Sequence, residues 1–168
     1  VKARGIEIRR RDTPNIIRQC QSEVIQELAK ARNSQEFIQR IPIAFSVLKK
    51  YTERIRKQEV DLDDLVIGKQ LSKGPEEYVN NSHQAVAAKQ LQRHGIKIMA
   101  GQTVRYLITD ADNSFPERRV VAVQLIDGKT RYDSKEYVRL LNEALLTILS
   151  PFVSPKEERL TSYFRQVK

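Results

Sequence analysis

The chain has 168 residues, and its 30 lysines and arginines outnumber its 21 aspartates and glutamates, which gives a net charge of +9 and a pI near 9.8. This balance suits a surface that meets polyanions, although ribosomal, chromatin and membrane-surface proteins share it. The sequence has no run of the ~20 apolar residues that a membrane span needs, no apolar signal segment at its start, and only one cysteine, Cys20, which excludes an internal disulfide or a cysteine-based metal site. We therefore expect a soluble, intracellular protein in which Cys20 is buried as a small apolar residue.

The first half of the sequence predicts one short strand and two helices. Apolar and charged residues alternate from Gly5 to Arg9, which favours a strand that joins a sheet. Asp12-Thr13-Pro14 predicts a helix start with proline at the first helical position, and apolar residues at helical spacing extend this helix to about Arg32. Asn33-Ser34 predicts the cap of a second, longer helix, antiparallel to the first and kinked near its start by Pro42.

The second half changes from helical to alternating periodicity and back. Leu65-Val66-Ile67 predicts a short extended segment, and Asn81-Ser82 predicts the cap of a third helix from about His83 to His94. Alternation past this helix predicts a small antiparallel sheet of three strands. The apolar positions of these strands are Ile96 and Ile98, then Val104, Tyr106 and Ile108, then Val121, Val123 and Leu125, with turns at Gly101 and Asp127-Gly128. Asp133-Ser134 predicts the cap of a last helix, which Pro151 stops.

Two segments carry donor groups that suit phosphate. Arg9-Arg10-Arg11 falls where a strand gives way to a helix, so three guanidinium groups lie beside a positively polarised helix N-terminus. The alternative interpretation is a solvated charge run with Asp12 as its counterion. From Lys69 to Tyr78, the sequence combines cations, amide and hydroxyl donors and a Gly-Pro turn, which are donor types that contact phosphate and sugar. The alternative there is an exposed loop in which Tyr78 covers the core.

No constellation of residues predicts catalysis or metal binding. His83 and His94 lie at opposite ends of one predicted helix and so cannot share a metal ion, which favours capping or surface exposure. Asp61, Asp63 and Asp64 lack the glycine and the terminal glutamate of a calcium loop, which favours a solvated turn. Because the sequence also lacks a Gly-rich phosphate loop and a nucleophile with a paired base, its own residues predict a binding protein.

The basic segment near the start carries a specific resemblance. Arg4-Gly5-Ile6-Glu7-Ile8-Arg9-Arg10-Arg11-Asp12 is similar to the Arg-Gly-(Leu/Ile)-Glu-x-x-Arg-Arg-Asp signature of family B DNA polymerases of the archaeal type, where the palm hands over to the thumb. Further segments resemble the family's thumb in the same order and spacing, so that the resemblance covers about residues 4 to 150. These segments are Leu65-Val66-Ile67, Gln70-Leu71-Ser72-Lys73, Tyr78, the stretch from Ala85 to Leu91, Gly95-Ile96-Lys97-Ile98, Gly101 with Thr103-Val104, Tyr106 and Arg131-Tyr132-Asp133.

The resemblance implies two groups of DNA-contacting residues. The group at the base of the thumb, beside the primer-template, consists of Arg4, Arg10, Arg11 and Asp12. The group in the segment that approaches the duplex consists of Gln70, Ser72, Lys73 and Tyr78. The sequence departs from the family at His83, which stands where the proline of a Pro-His pair is usual, and at Val79, where many archaeal relatives carry lysine. The final helix also lacks the family's usual Asn-Gln and proline.

For the parent enzyme, the resemblance implies two-metal phosphoryl transfer, with Mg²⁺ held by two palm aspartates, one of them within an Asp-Thr-Asp motif. That motif does not occur in this sequence, so we assign no catalytic residue, no metal ligand and no cofactor to the chain itself. We expect the chain to begin just after the palm motifs. Catalysis would then depend on a palm portion of the same parent chain or of a separate large subunit.

We therefore expect an α+β fold, in which a mainly helical thumb domain with antiparallel long helices carries a small antiparallel β-lobe. Residues 1–12 would end the palm, 13–152 would form the thumb domain and 153–168 would be a tail. The expected partners are primer-template duplex DNA and the catalytic palm, in the cytoplasm at the nucleoid and without a membrane. The alternative is a noncatalytic accessory subunit that docks on a polymerase core through its apolar stripes, with an incidental basic charge.

Overall fold

The computed structural model describes residues 12–152, and the first two of its helices follow each other directly along the chain. The first helix, α1, spans Asn15–Ala29, and the second, α2, spans Ser34–Arg56. The Asn33 side chain accepts a hydrogen bond from the backbone N–H of Glu36 at 2.9 Å, which confirms the predicted cap of α2. The helix continues through Pro42.

Ion pairs between α1 and α2 fix their relative direction. Glu27, near the end of α1, pairs with Arg40 in the first half of α2 at 3.4 Å. Glu23, one turn earlier in α1, pairs with Lys50 at 2.6 Å and accepts a hydrogen bond from the Tyr51 hydroxyl at 2.9 Å. Because earlier residues of α1 meet later residues of α2, the predicted antiparallel pair is confirmed.

The ends of α1 differ slightly from the prediction. Pro14 precedes the helix instead of opening it, because its backbone is extended, with ψ of 144°. At the other end, the backbone N–H groups of Lys30 and Ala31 donate to carbonyls three residues back, which closes the last turn before the predicted end near Arg32.

Three short strands form one antiparallel sheet. Strand β1 spans Ile67–Gln70, β2 spans Thr103–Ile108 and β3 spans Val120–Ala122, in the spatial order β1-β2-β3. In the register of β1 and β2, Gly68 lies opposite Arg105 and Gln70 lies opposite Thr103. The sheet packs against a third long helix, α4, which spans His83–Arg93. A short helix, α3, spans Leu62–Leu65 and precedes β1.

The composition of the sheet corrects three sequence predictions. The segment around Ile96 and Ile98 is not a strand, because the Ile96 N–H donates to the Leu91 carbonyl and keeps this segment wrapped over the end of α4. Its place in the sheet is taken by β1. The predicted third strand ends at Ala122, because residues 123–125 form a 3-10 turn instead of continuing the pairing with β2. Leu65 ends α3 instead of starting an extended segment.

The last helix, α5, joins the sheet to the helical pair. It spans Ser134–Leu149, and the Asp133 side chain accepts a hydrogen bond from the Glu136 N–H at 3.0 Å, which confirms the predicted cap. The fully buried Tyr137 donates its hydroxyl to the Leu65 carbonyl at 2.8 Å and accepts from the Ile108 N–H at 3.0 Å. One side chain of α5 therefore fixes both the end of α3 and the end of β2.

The apolar core runs between α1, α2 and α5 and continues under the sheet. Cys20 lies in it, as predicted, and burial raises the pKa of its thiol to about 12. The α+β, mainly helical fold class is confirmed, with its small three-stranded sheet. The strand predicted from Gly5 to Arg9 and the tail after Phe152 lie outside the described residues. Within residues 12–152, no helix is long and apolar enough to cross a membrane.

Candidate nucleic-acid interface

The predicted contact segment from Gln70 to Tyr78 leaves the end of β1, which is an edge strand of the sheet. Its first residues are held to the turn that precedes β2. The Leu71 N–H donates to the Gln102 carbonyl at 2.8 Å, and the Gly101 N–H donates to the Leu71 carbonyl at 2.7 Å. The Gln70 side-chain amide also donates to the Gly101 carbonyl at 2.8 Å. Gly101 has φ of 84°, which glycine adopts at little cost. In this conformation its N–H and its carbonyl both bond to the segment.

Tyr78 organises this segment from inside. Its side chain is only 7% exposed, and its hydroxyl accepts a hydrogen bond from the Ser72 N–H at 3.1 Å and lies 3.3 Å from the Ser72 hydroxyl. Lys89 of α4 donates to the Tyr78 carbonyl at 2.8 Å. Tyr78 thus covers the core and, at the same time, holds Ser72 in place.

Three donors of different chemistry lie together on the held segment. Gln70 and Ser72 are exposed, and Lys73 is half-buried with its ammonium nitrogen 5.1 Å from the centroid of the Tyr78 ring. A cation is attracted to an aromatic face, which restrains Lys73 beside Ser72. The Glu77 carboxylate accepts from the Gly74 N–H at 2.9 Å and closes the turn that follows. Amide, hydroxyl and ammonium donors are the groups that contact phosphate and sugar oxygens.

Of the group predicted at the base of the thumb, only Asp12 is described, and Arg4, Arg10 and Arg11 lie outside the described residues. The Asp12 carboxylate pairs with Lys69 of β1 at 3.8 Å. Lys69 and Gln70 are neighbours in one strand, so their side chains point to opposite faces of the sheet. Asp12 is therefore brought beside β1, but on the face opposite to Gln70.

A cleft of about 360 Å³ opens beside Asp12 and Lys69. His83, the first residue of α4, lines this cleft and packs edge-on against Tyr106 with the ring centroids 6.0 Å apart. Burial lowers the pKa of His83, which favours its neutral ring. His83 is therefore a partly buried packing residue instead of an exposed one, whereas His94 ends α4 as an exposed cap, as predicted.

The carboxylates of the described residues do not fit a two-metal centre. No group of three or more His, Cys, Asp or Glu side chains gathers between residues 12 and 152. Asp61 precedes α3 and Asp64 belongs to it, and the Asp64 carboxylate accepts a hydrogen bond from Asn15 at 2.6 Å. The predicted solvated turn is thus the start of a short helix, and we derive no chemical step through a metal for these residues.

Two arginines that the sequence analysis did not single out lie near this interface. Arg18 of α1 and Arg105 of β2 line one cleft of about 210 Å³ together with Gly68. Thr103 and Arg105 alternate with buried residues along β2, which indicates that Arg105 is exposed. Its position beside Gly68, and so at the cleft that Arg18 also lines, depends on the pairing of β1 with β2. That pairing was not predicted, because β1 was not assigned to the sheet.

Comparisons with known proteins agree with the resemblance seen in the sequence. The DNA polymerase of Pyrococcus glycovorans is 29% identical over 150 residues, which cover 89% of this chain and 18% of that protein. The DNA polymerase of Thermococcus sp. (strain 9oN-7) is 28% identical over 168 residues, which cover 99% of this chain and 21% of that protein. The structure of the family B DNA polymerase from Pyrobaculum calidifontis matches 80% of this chain and 17% of its own, with a TM-score of 0.66 and 27% identity.

The chain spans about a fifth of the length of these two polymerases and about a tenth of the length of other matching relatives. The sequence model described as DNA polymerase family B matches residues 1–152. Because that match takes in the whole helical body, the sheet and the contact segment, the chain belongs to family B of the DNA polymerases.

Proposed function

We propose that this chain is the thumb region of a family B DNA polymerase, and that it grips primer-template duplex DNA through phosphates and sugars. The observation that carries the proposal is the held segment from Gln70 to Lys73, which presents three different donors at the edge of the sheet. The resemblance in the sequence implies that this segment approaches the duplex.

The chemistry of the segment favours contact with the DNA backbone over readout of bases. A polymerase must hold every sequence equally, and backbone contacts carry no sequence information. In this proposal Lys73, Arg10 and Arg11 neutralise phosphates, while Gln70 and Ser72 donate to phosphate or sugar oxygens. Arg4 and Asp12 lie at the base of the thumb, and Tyr78 holds Ser72. The net charge of +9 adds a sequence-independent attraction.

Nucleotide addition by the parent polymerase is a separate part of the proposal. The resemblance implies that palm aspartates hold the Mg²⁺ ions, and we assign no metal ligand among the described residues. The chain's own contribution is to keep the duplex bound while the palm acts. Its partners are therefore primer-template DNA and the catalytic portion, in the same parent chain or in a separate subunit.

The test is the salt dependence of duplex binding by the chain. With roughly four to six phosphates neutralised, log K should fall with log salt with a slope of about −4 to −5. Fluorescence anisotropy with two duplexes of different sequence should give equal affinities. A slope near zero, or a clear preference for one sequence, contradicts a grip through phosphates.

One observation favours the accessory-subunit alternative. The exposed positions of α2 between residues 34 and 46 carry no charge and include Ile38, which is 64% exposed, and Ile43, which is 44% exposed. A charge-depleted, partly apolar face is typical of the centre of a protein interface. If this face docks on a polymerase core, Ile38→Glu should weaken binding to that core while leaving duplex affinity unchanged.

A further inference from the structure

We propose that Arg18 and Arg105 form a second phosphate-binding site, located over Gly68 and separate from the segment between Gln70 and Tyr78. The site is the cleft of about 210 Å³ between the start of α1 and one face of the sheet. Besides these two arginines, its polar lining includes the hydroxyl-bearing side chains of Thr13 and Thr103.

The two arginines come from different elements, and neither has an acidic partner among the described residues. Within residues 12–152, neither Arg18 nor Arg105 forms an ion pair with a carboxylate. The Nε atom of Arg18 is buried and has no hydrogen-bond partner. A buried donor without a partner is costly, which leaves the Arg18 guanidinium incompletely satisfied by the described residues. Guanidinium groups bind phosphate oxygens in a planar, bidentate manner.

Gly68 provides the floor of the site. It lies directly opposite Arg105 in the register of β1 and β2. A Cβ atom at this position would lie 3.4 Å from Thr103 Cγ2 and 3.9 Å from Arg105 Cγ, so a larger side chain would extend into the space between these two residues. The absence of a side chain at residue 68 therefore keeps the cleft open.

The remaining surroundings are compatible with an anion. One water takes about 30 Å³, so the cleft has room for a phosphate group and several waters. The first turn of α1 contains no acidic residue and no side chain caps it, but the Asp64 carboxylate, which accepts from Asn15 at 2.6 Å, lies at this end of the helix, so the site depends on the two arginines instead of the helix dipole. The one carboxylate in the lining, Asp63, is exposed and pairs with neither arginine among the described residues.

The site continues the proposed DNA interface. Gly68 and Gln70 are two residues apart in β1, so both face the same side of the sheet as Arg105. A phosphate group bound there would belong either to the backbone of a duplex that also contacts Gln70 or to a free phosphate. The DNA source rests on the proposed function, whereas the phosphate site itself does not.

The first arm of the test uses inorganic phosphate and the full chain. At constant ionic strength, phosphate should shift the backbone amide NMR signals of Gly68, Thr103 and Arg105 in a saturable manner. Arg105→Gln should weaken this binding by about tenfold, the value of one charge-assisted contact. Arg32→Gln is the matched control, because Arg32 is exposed and lies past the opposite end of α1 from Arg18.

Gly68→Val separates shape from charge. Valine suits a strand and removes no cation, but it places methyl groups in the cleft. Its phosphate binding should fall as far as that of Arg105→Gln, while its circular dichroism spectrum stays that of the parent chain. Because Arg105 is exposed, we expect Arg105→Gln to fold, so the phosphate site can still be tested if the valine variant does not fold.

The second arm uses duplex DNA and identifies the source of the phosphate. If a DNA phosphate occupies the site, Arg105→Gln should reduce the steepness of the salt dependence by about 1 relative to Arg32→Gln. If only free phosphate distinguishes the two variants, the site stands and takes a free anion. If the chain binds no duplex but still binds phosphate, the grip proposal fails and the site stands. The phosphate site is wrong if neither probe distinguishes Arg105→Gln from Arg32→Gln.

Discussion

In the bundle of α1, α2 and α5, the contacts that hold the elements together are largely apolar, whereas around the sheet the chain is fixed by hydrogen bonds from side chains to backbone. Leu48, Leu141 and Leu145 are completely buried in the bundle. At the sheet, the Gln90 side chain alone donates to the carbonyls of Glu117 and Val120 and accepts from the Ala122 N–H. The bundle is thus stabilised by packing, and the sheet end by polar tethers that fix loops precisely.

This difference matches the proposed division of work. Interacting groups need a defined geometry, and the segment from Gln70 to Tyr78 obtains it from tethers to Gly101, Gln102 and Lys89. The buried side chains of the bundle position no donor for DNA and stabilise the fold. Substitutions in the apolar core of the bundle should therefore change stability without changing the binding of DNA, whereas substitutions of exposed donors at the sheet end should change binding more than stability.

The largest effect is expected from Leu145→Ala in the bundle. Leu145 is completely buried in α5, so its truncation should lower the free energy of unfolding by about 2–5 kcal/mol through lost burial and a cavity. Denaturant unfolding measures this loss, and the salt slope of duplex binding should be unchanged at a temperature where the variant is folded. A reduced slope in the folded variant would show that bundle and grip are not separable.

Tyr137→Phe tests the connection between the two regions. It leaves the Ile108 N–H and the Leu65 carbonyl without their buried partner, so we expect a loss of about 2–3 kcal/mol in the free energy of unfolding. Tyr132→Phe is the control, since the Tyr132 hydroxyl also donates to a backbone carbonyl, that of Ile55 at 2.9 Å, but does not join α5 to the sheet, and it should cost less. Equal losses in the free energy of unfolding would mean that the two hydrogen bonds of the Tyr137 hydroxyl do not stabilise the fold more than those of Tyr132.

The helices were easier to predict from the sequence than the sheet, because helix caps are local signals and strand pairing is not. The caps at Asn33 and Asp133 are local signals, and both helices begin where these residues indicate. The sheet depends on pairing between distant segments, and the alternation around Ile96 was outweighed by its hydrogen bond to the end of α4. The donor types and the resemblance both predict a contact segment that includes Lys73 and Tyr78, but the bond from the Ser72 N–H to the Tyr78 hydroxyl is not visible in the sequence. The cleft of Arg18 and Arg105 was missed for the same reason as the strand pairing that forms it.

Lys73→Ala should affect binding more than folding. The substitution removes one solvated phosphate contact, worth on the order of 1 kcal/mol, so dissociation from duplex should become roughly fivefold faster. Stopped-flow dissociation measures this rate, with Lys49→Ala on the exposed face of α2 as control. In a polymerase that carries this thumb, processivity should fall while single-nucleotide incorporation from a preformed complex barely changes. Slower incorporation with unchanged processivity would contradict the assignment of Lys73 to the grip.

The smallest effect is expected from removing one hydroxyl, and it offers the sharpest comparison because the same change is available in both regions. Tyr78→Phe deletes the acceptor of the Ser72 N–H, which is partly buried, and frees the Ser72 hydroxyl. Tyr51→Phe deletes the donor to Glu23 in the bundle. The loss should cost about 1 kcal/mol in the free energy of unfolding for Tyr78→Phe and about 1.5 kcal/mol for Tyr51→Phe, whose lost acceptor is a carboxylate. Only Tyr78→Phe should also weaken duplex binding, by about twofold, because an unheld Ser72 must be ordered when DNA binds. Parallel titrations of the two variants at one salt concentration measure the difference. If Tyr51→Phe weakens duplex binding as much as Tyr78→Phe, the tether to Ser72 does not prepare the segment for DNA.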